Sequence, residues 1–230
     1  MNYVVLAAGV VPVWWLWRRL QRRQRARFIE DFRFHPSISR KVQQRYPHLD
    51  DDQLALVMDG LRDYFWCCST AGRKSLAMPS QVVDVAWHEF ILFTRAYQTF
   101  CKQAFGRFLH HTPTEAMANP TKAQLGIRRV WRLACARQGL SARLPLELPR
   151  LFALDTQLKI SDGYVYSLNC KDKNSRNPLG DSYCASHIGC SSGCSGDFGG
   201  DSGGGIFGDS DHSGHDGGGS SCSGCSGGGD

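Results

Sequence analysis

The chain has 230 residues, 42% of them hydrophobic, with 27 Lys and Arg against 21 Asp and Glu for a net charge of +6. That apolar fraction excludes a wholly disordered chain, and the length accommodates one domain with appendages. The average hides a division. Residues 1–34 hold seven Arg and two acids, residues 35–188 hold 20 bases and 13 acids, and residues 189–230 hold six Asp, no Lys or Arg and 17 of the 25 Gly.

At the amino end, Tyr3 to Trp17 (YVVLAAGVVPVWWLW) carries no charge, and Arg18, Arg19, Arg22, Arg23, Arg25 and Arg27 follow directly. Fifteen helical residues reach about 22 Å, short of a hydrocarbon core of roughly 30 Å. Met1, Asn2 and Leu20 lengthen the segment, the first arginines can snorkel, and Trp14, Trp15 and Trp17 suit an interfacial belt. A cleaved signal would place its basic residues before the apolar run, the reverse of the order here. The expectation is a single-pass transmembrane anchor at 1–20 in the cell membrane and a basic juxtamembrane segment at 21–34 whose arginines meet anionic lipid. The positive-inside rule puts the amino terminus outside and the rest in the cytoplasm. An interfacial helix is the competing reading. In a reducing cytoplasm the ten cysteines form no disulfide framework, and Cys101 and Cys135 read as small buried hydrophobes.

The middle of the chain has helical periodicity. Leu54, Val57, Met58, Leu61, Tyr64 and Phe65 make one face after the acidic turn Asp50–Asp52. Pro79 and Ser80 start a second helix that runs to about Phe105, with Val83, Trp87, Ile91 and Thr94 on one stripe and Gly106 as its stop. A third runs from near Thr121 to Gly139 and carries Val130, Leu133 and Ala134. The Pro-bearing stretch 144–151 is too interrupted for a long helix, and Phe152 to Ile160 makes one more short one. Gly163 to Tyr166 reads as a brief extended piece without a partner. The expected body is a mainly α, compact helical domain at 35–170, followed by a disordered Gly/Ser/Asp/Cys-rich tail at 171–230.

The run MPSQVVDVAWHEFILFTRAYQTFCKQAFGRFLHHTP (Met78 to Pro113) resembles the signature block of the bacterial glycine-rich domain-containing protein-like family, which is distantly similar to plant glycine-rich domain proteins. RYP at Arg45–Pro47, LRDYF at Leu61–Phe65, VWRLAC at Val130–Cys135 and LPRLFALD at Leu148–Asp155 extend the resemblance over roughly residues 35 to 170. It implies a helical body with an amino-terminal anchor and a Gly/Cys-rich tail, and little about activity. In plant-type members the Trp-His pair is typically followed by a second His two residues on. Phe90 stands at that place here.

Chemistry can be sought at Asp84 and His88, four apart on one helix face, with His110 and His111 just past Gly106. One reading is a divalent metal site. Two imidazoles and a carboxylate suit zinc or iron, and a return of His110 or His111 toward His88 completes three ligands. The other is a polar pin, with Asp84 holding the His88 imidazole and His111 capping a chain reversal. Asp-x-x-x-His recurs by chance and no established metalloenzyme motif is present, so the pin takes precedence. Cys101 paired with either His has no oxyanion-hole signal beside it. Arg128, Arg129, Arg132 and Arg137 add basic surface, but no nucleic-acid fold signature accompanies them, and lipid is the simpler partner.

In the tail, His212-x-x-His215 and Cys222-x-x-Cys225 have the spacing of half zinc sites but no apolar cluster to support a loop, and Cys184, His187, Cys190 and Cys194 form a looser group. The leading functional expectation is a non-enzymatic, membrane-held module that docks a protein partner, with no nucleic acid involved. The alternative is a metal-dependent enzyme using Asp84, His88 and His110 or His111.

Overall fold

The computed structural model describes residues 2–111, 120–168, 183–184 and 188. The chain divides into units at 1–193 and 194–230, and every described residue falls in the first. Seven helices follow in order: α1 (Asn2–Asp31), α2 (Pro36–Arg45), α3 (Asp51–Ala71), α4 (Gln81–Leu92), α5 (Thr94–Phe105), α6 (Pro120–Gln138) and α7 (Arg150–Gln157). Two short strands, β1 (Tyr166–Ser167) and β2 (Tyr183–Cys184), pair in parallel with Tyr166 opposite Tyr183. The fold is mainly α and compact.

Helix α3 is the centre of the packing and touches α1, α2, α4, α5, α6 and α7. Its start is a capping box. Gln53 N–H donates to Asp50 Oδ1 at 2.8 Å, and the Asp50 N–H donates to Gln53 Oε1 at 3.0 Å. Gly60 lets neighbouring helices approach, since a Cβ there would stand 2.5 Å from Leu154 Cδ1 on α7 and 3.0 Å from Val83 on α4. Phe65 is the hub of an aromatic cluster, with Phe34, Tyr64, Trp87, Phe90, Phe100 and Phe105 at ring separations of 4.9–6.4 Å.

Several expectations are corrected here. Among the described residues no helix is long and apolar enough to cross a membrane. The segment expected as an anchor at 1–20 runs without a break into the rest of the continuous 30-residue α1, and its charge-free stretch ends too soon at Arg18. The segment 21–34, expected as a basic juxtamembrane stretch, packs in part against the body. Ile29 is buried, Phe28 and Phe32 lie 5.7 and 4.6 Å from the Phe100 ring, and Arg25 Nη1 donates to the Phe105 carbonyl at 3.0 Å. The folded body therefore begins inside α1, and Arg25 is occupied by the protein itself.

The helix expected from Pro79 to Phe105 breaks at Phe93 into α4 and α5, while Gly106 ends α5 as foreseen, in the left-handed region at φ 68°. In an unbroken helix Trp87 and Tyr97 would be about 15 Å apart along the axis. The break folds α5 back, so that Trp87 Nε1 donates to the Tyr97 hydroxyl at 3.1 Å. Thr94, placed on the apolar stripe by periodicity, is consequently exposed. The extended piece after Gly163 has a partner in β2, and Ile188 is buried, so the fold continues past the boundary expected at 170.

Of the α6 arginines, Arg137 is drawn inward. Its Nε donates to the buried Asp63 at 2.6 Å, its Nη1 lies 3.2 Å from Glu30, and its guanidinium sits 5.0 Å from the Trp66 ring centroid. Cys101 and Cys135 are buried as expected, and so are Cys67 and Cys68.

Candidate metal centre

The site begins with how α4 is started. Ser80 caps it by accepting from the Val83 N–H at 3.4 Å. The stronger hold comes from Asp155, at the far side of the chain on α7. Its carboxylate accepts from Ser80 Oγ at 2.7 Å, from the Gln81 and Val82 N–H groups at 2.7 and 3.2 Å, and from the Tyr164 N–H at 2.9 Å. A negative group set against the free N–H groups of a helix start also meets the positive end of the helix dipole. Burial still dominates its titration and pushes its pKa up despite these four hydrogen bonds. Spacing gave no hint of this contact. The available signal was an acid ending the apolar run Leu151, Phe152, Leu154, where solvation is lost.

With that start fixed, Asp84 and His88 lie one turn apart on the same face. His88 Nδ1 is 3.3 Å from Asp84 Oδ2. The second imidazole arrives from outside the helix. The Tyr97 hydroxyl, receiving from Trp87, donates to the Leu109 carbonyl at 2.6 Å and so sets the path of residues 109–111. His111 Nε2 then stands 2.9 Å from Asp84 Oδ1, its ring packed edge-on against Trp87 at 4.4 Å and 4.2 Å from the His88 ring. His110 packs against Phe108 at 4.8 Å, is exposed, and is not one of the residues brought together with Asp84. Of the two adjacent histidines, the structure selects His111.

One ligand atom from each of Asp84, His88 and His111 lies within 4.8 Å of the others. Donors bound to one ion at about 2.0–2.2 Å stand roughly 3–3.5 Å apart, so a modest rotation closes the set. The half-exposed His88 side chain is free to make it, while His111 is held at 9% exposure. A cavity of about 180 Å³ opens on the Asp84 and His111 side, between the end of α3, residues 73–78, α4 and residues 107–111. Its floor carries Tyr64 and Cys68. Burial pushes the Cys68 thiol up to about 12, so it is no nucleophile at neutral pH. Burial raises the Cys101 thiol and the Tyr97 hydroxyl as well. His212, His215, Cys222 and Cys225 lie outside the described residues, as do His187, Cys190 and Cys194.

The sequence profile of the UCP032817-like family matches residues 24–188, and the chain belongs to that family. Its first matched residue lies in the half of α1 that packs into the core, and its last is the buried Ile188. Comparison with curated proteins and with solved structures gave no match.

Proposed function

We propose that Asp84, His88 and His111 hold a divalent metal ion and that the domain is a metal-dependent enzyme rather than a scaffolding module. One observation carries this reading: a single carboxylate receives two imidazoles from separate chain segments at the edge of a cavity. A polar pin needs one imidazole to satisfy Asp84, and it needs no cavity. Three protein ligands leave coordination positions for water or a ligand, the arrangement of open catalytic sites, and a two-His, one-carboxylate set suits iron, manganese or zinc. The test is Mn2+ titration of the full chain, followed by paramagnetic broadening of the His88 and His111 imidazole resonances. Manganese is chosen because thiols, abundant toward the carboxyl end, compete poorly for it. Asp84→Asn and His88→Ala should each abolish the broadening. Unchanged spectra in the wild-type protein at millimolar Mn2+ would return the cluster to a hydrogen-bonding role.

A second observation supports attachment to a lipid surface. Val13, Trp14, Trp15, Leu16, Trp17 and Leu20 are all exposed on α1, and Arg18 and Arg19 lie over the Trp14 and Trp15 rings at 4.1 and 5.4 Å. Tryptophans beside arginines suit the headgroup region, so this end of α1 meets the lipid surface. Sedimentation with anionic and neutral vesicles tests it, binding only to the anionic ones being expected. Kinship with the bacterial glycine-rich domain-containing protein-like family is proposed on the blocks at Met78–Pro113 and Leu148–Asp155, and it adds no activity of its own.

A further inference from the structure

The lining of the cavity beside the Asp84–His88–His111 cluster also carries cations. Arg73 and Lys74, in the turn after α3, and Arg107, after α5, all line it. None of the three makes an ion pair with an acid among the described residues, and Asp84 is the one described acid on the cavity lining. Arg107 is held in place through its own backbone contacts, donating to the Gly72 carbonyl and, at 3.4 Å, to that of Phe108. Arg73 and Lys74 are exposed and have no side-chain hydrogen bond among the described residues, so their charge is directed at solvent and at the cavity. Three cations around a partly enclosed space concentrate positive potential there.

We propose that this cavity binds a phosphoryl group, with Arg73, Lys74 and Arg107 contacting its oxygens and Asp84 and His111 on the same lining. The inference rests on the metal reading above for its catalytic meaning, since an ion at the cluster would face the same oxygens, but the cationic wall exists without it. Guanidinium groups match phosphate oxygens in a bidentate manner and ammonium serves as a point charge, the combination phosphoryl recognition uses. The volume of about 180 Å³ has room for one such group.

The experiment is calorimetric titration of inorganic phosphate into the full chain at low ionic strength, first stripped of metal and then with Mn2+ present. The wild-type protein is compared with the Arg73→Ser/Lys74→Ser double variant, whose substituted side chains are exposed, and with Arg107→Gln. The double variant should bind phosphate at least tenfold more weakly while binding Mn2+ as before, and Arg107→Gln should weaken it too. Phosphate bound with this dependence in the absence of any Mn2+ binding supports the anion site and removes the metal. Mn2+ binding together with phosphate affinity unaltered by the double variant removes the anion site and leaves the metal reading intact. No phosphate binding in either condition overturns the proposal. Displacement of phosphate by phosphatidic acid vesicles, but not by phosphatidylcholine vesicles, identifies a lipid phosphomonoester as the source. Displacement by soluble phosphomonoesters alone identifies a free one.

Discussion

Two aspartates meet the first turns of α4, and their surroundings are opposite. Asp155 is 3% exposed and its oxygens are filled by a hydroxyl and three backbone N–H groups that cannot move away or titrate. Asp84, one turn along, has a 21% exposed side chain, shares its oxygens with two imidazoles and faces a cavity lined by cations. A carboxylate closed by immobile donors is a structural fastener. One whose partners are titratable and metal-competent side chains, with open space beside it, has capacity left for a ligand.

The comparison breaks first if Asp155 can be removed cheaply. Asp155→Ala leaves buried donors at Ser80, Gln81 and Val82 without acceptors and unfixes the start of α4. The expected loss is about 3–5 kcal/mol in urea denaturation. Asp84→Ala, losing contacts that water can replace in part, should cost well under half as much. Equal losses would mean that both carboxylates are fasteners.

The next effect belongs to Asp84 alone. A ligand present at a hundred times its Kd stabilises the folded state by about 2.7 kcal/mol, which for a domain of this size raises Tm by roughly 5–10 °C. Mn2+ should produce that rise in the wild-type protein and in Arg73→Ser/Lys74→Ser, and none in His88→Ala. Thermal scans with and without the ion read it directly.

The two carboxylates also differ in how far the sequence discloses them. Asp84 and His88 are visible because helical spacing is local, and an i,i+4 pair can be read without knowing the fold. His111 is visible only as one of two neighbours, because the choice between it and His110 depends on the Tyr97–Leu109 hydrogen bond, which depends in turn on the break at Phe93. Nothing in Ile91-Leu92-Phe93-Thr94 announces that break, since all four residues are tolerated in helices. Asp155 is hidden for the same reason: its partners at Ser80–Val82 are more than seventy residues away. Helix α3 with its capping box, the extent of α6 and the stop at Gly106 were legible. Half of α1 was not, because an apolar leader followed by arginines has one sequence pattern whether its basic half meets lipid or, like Phe28 and Ile29, enters the core.

A smaller effect separates the cavity floor from its mouth. The unfolded Cys68 thiol titrates near 9, and burial raises it to about 12 in the fold. Its contribution is fully present below pH 9 and is lost as pH rises toward 12, at about 1.4 kcal/mol by pH 10. Stability should therefore fall from pH 9 upward, and less steeply in Cys68→Ala measured against its own neutral-pH value. Iodoacetamide at pH 8 should leave Cys67, Cys68, Cys101 and Cys135 unmodified in the folded chain, as peptide mass mapping would show. Rapid labelling of Cys68 would make the floor chemically active and reopen the thiol as a participant.

The smallest effect comes from a third aspartate, Asp162, which tests whether exposure alone explains the contrast. It accepts from the Tyr46 hydroxyl at 2.9 Å and from Arg45 at 3.2 Å, with its side chain 39% exposed. Partial burial would raise its pKa, but the hydrogen bonds from Tyr46 and Arg45 outweigh that and hold it below the ordinary carboxylate value. Its contribution is present above the unfolded value near 3.8 and disappears as pH falls through the lower folded value, whereas that of Asp155 runs the other way, fading as pH rises from 3.8 through its raised one. Carboxyl carbon shifts followed from pH 7 to pH 2 should show Asp155 protonating before Asp162. Asp162→Asn should cost no more than about 1 kcal/mol, as an exposed ion pair does. If Asp162 protonated before Asp155, the four fixed donors around Asp155, and not its burial, would govern its titration, and its contribution to stability would run with pH in the same sense as that of Asp162.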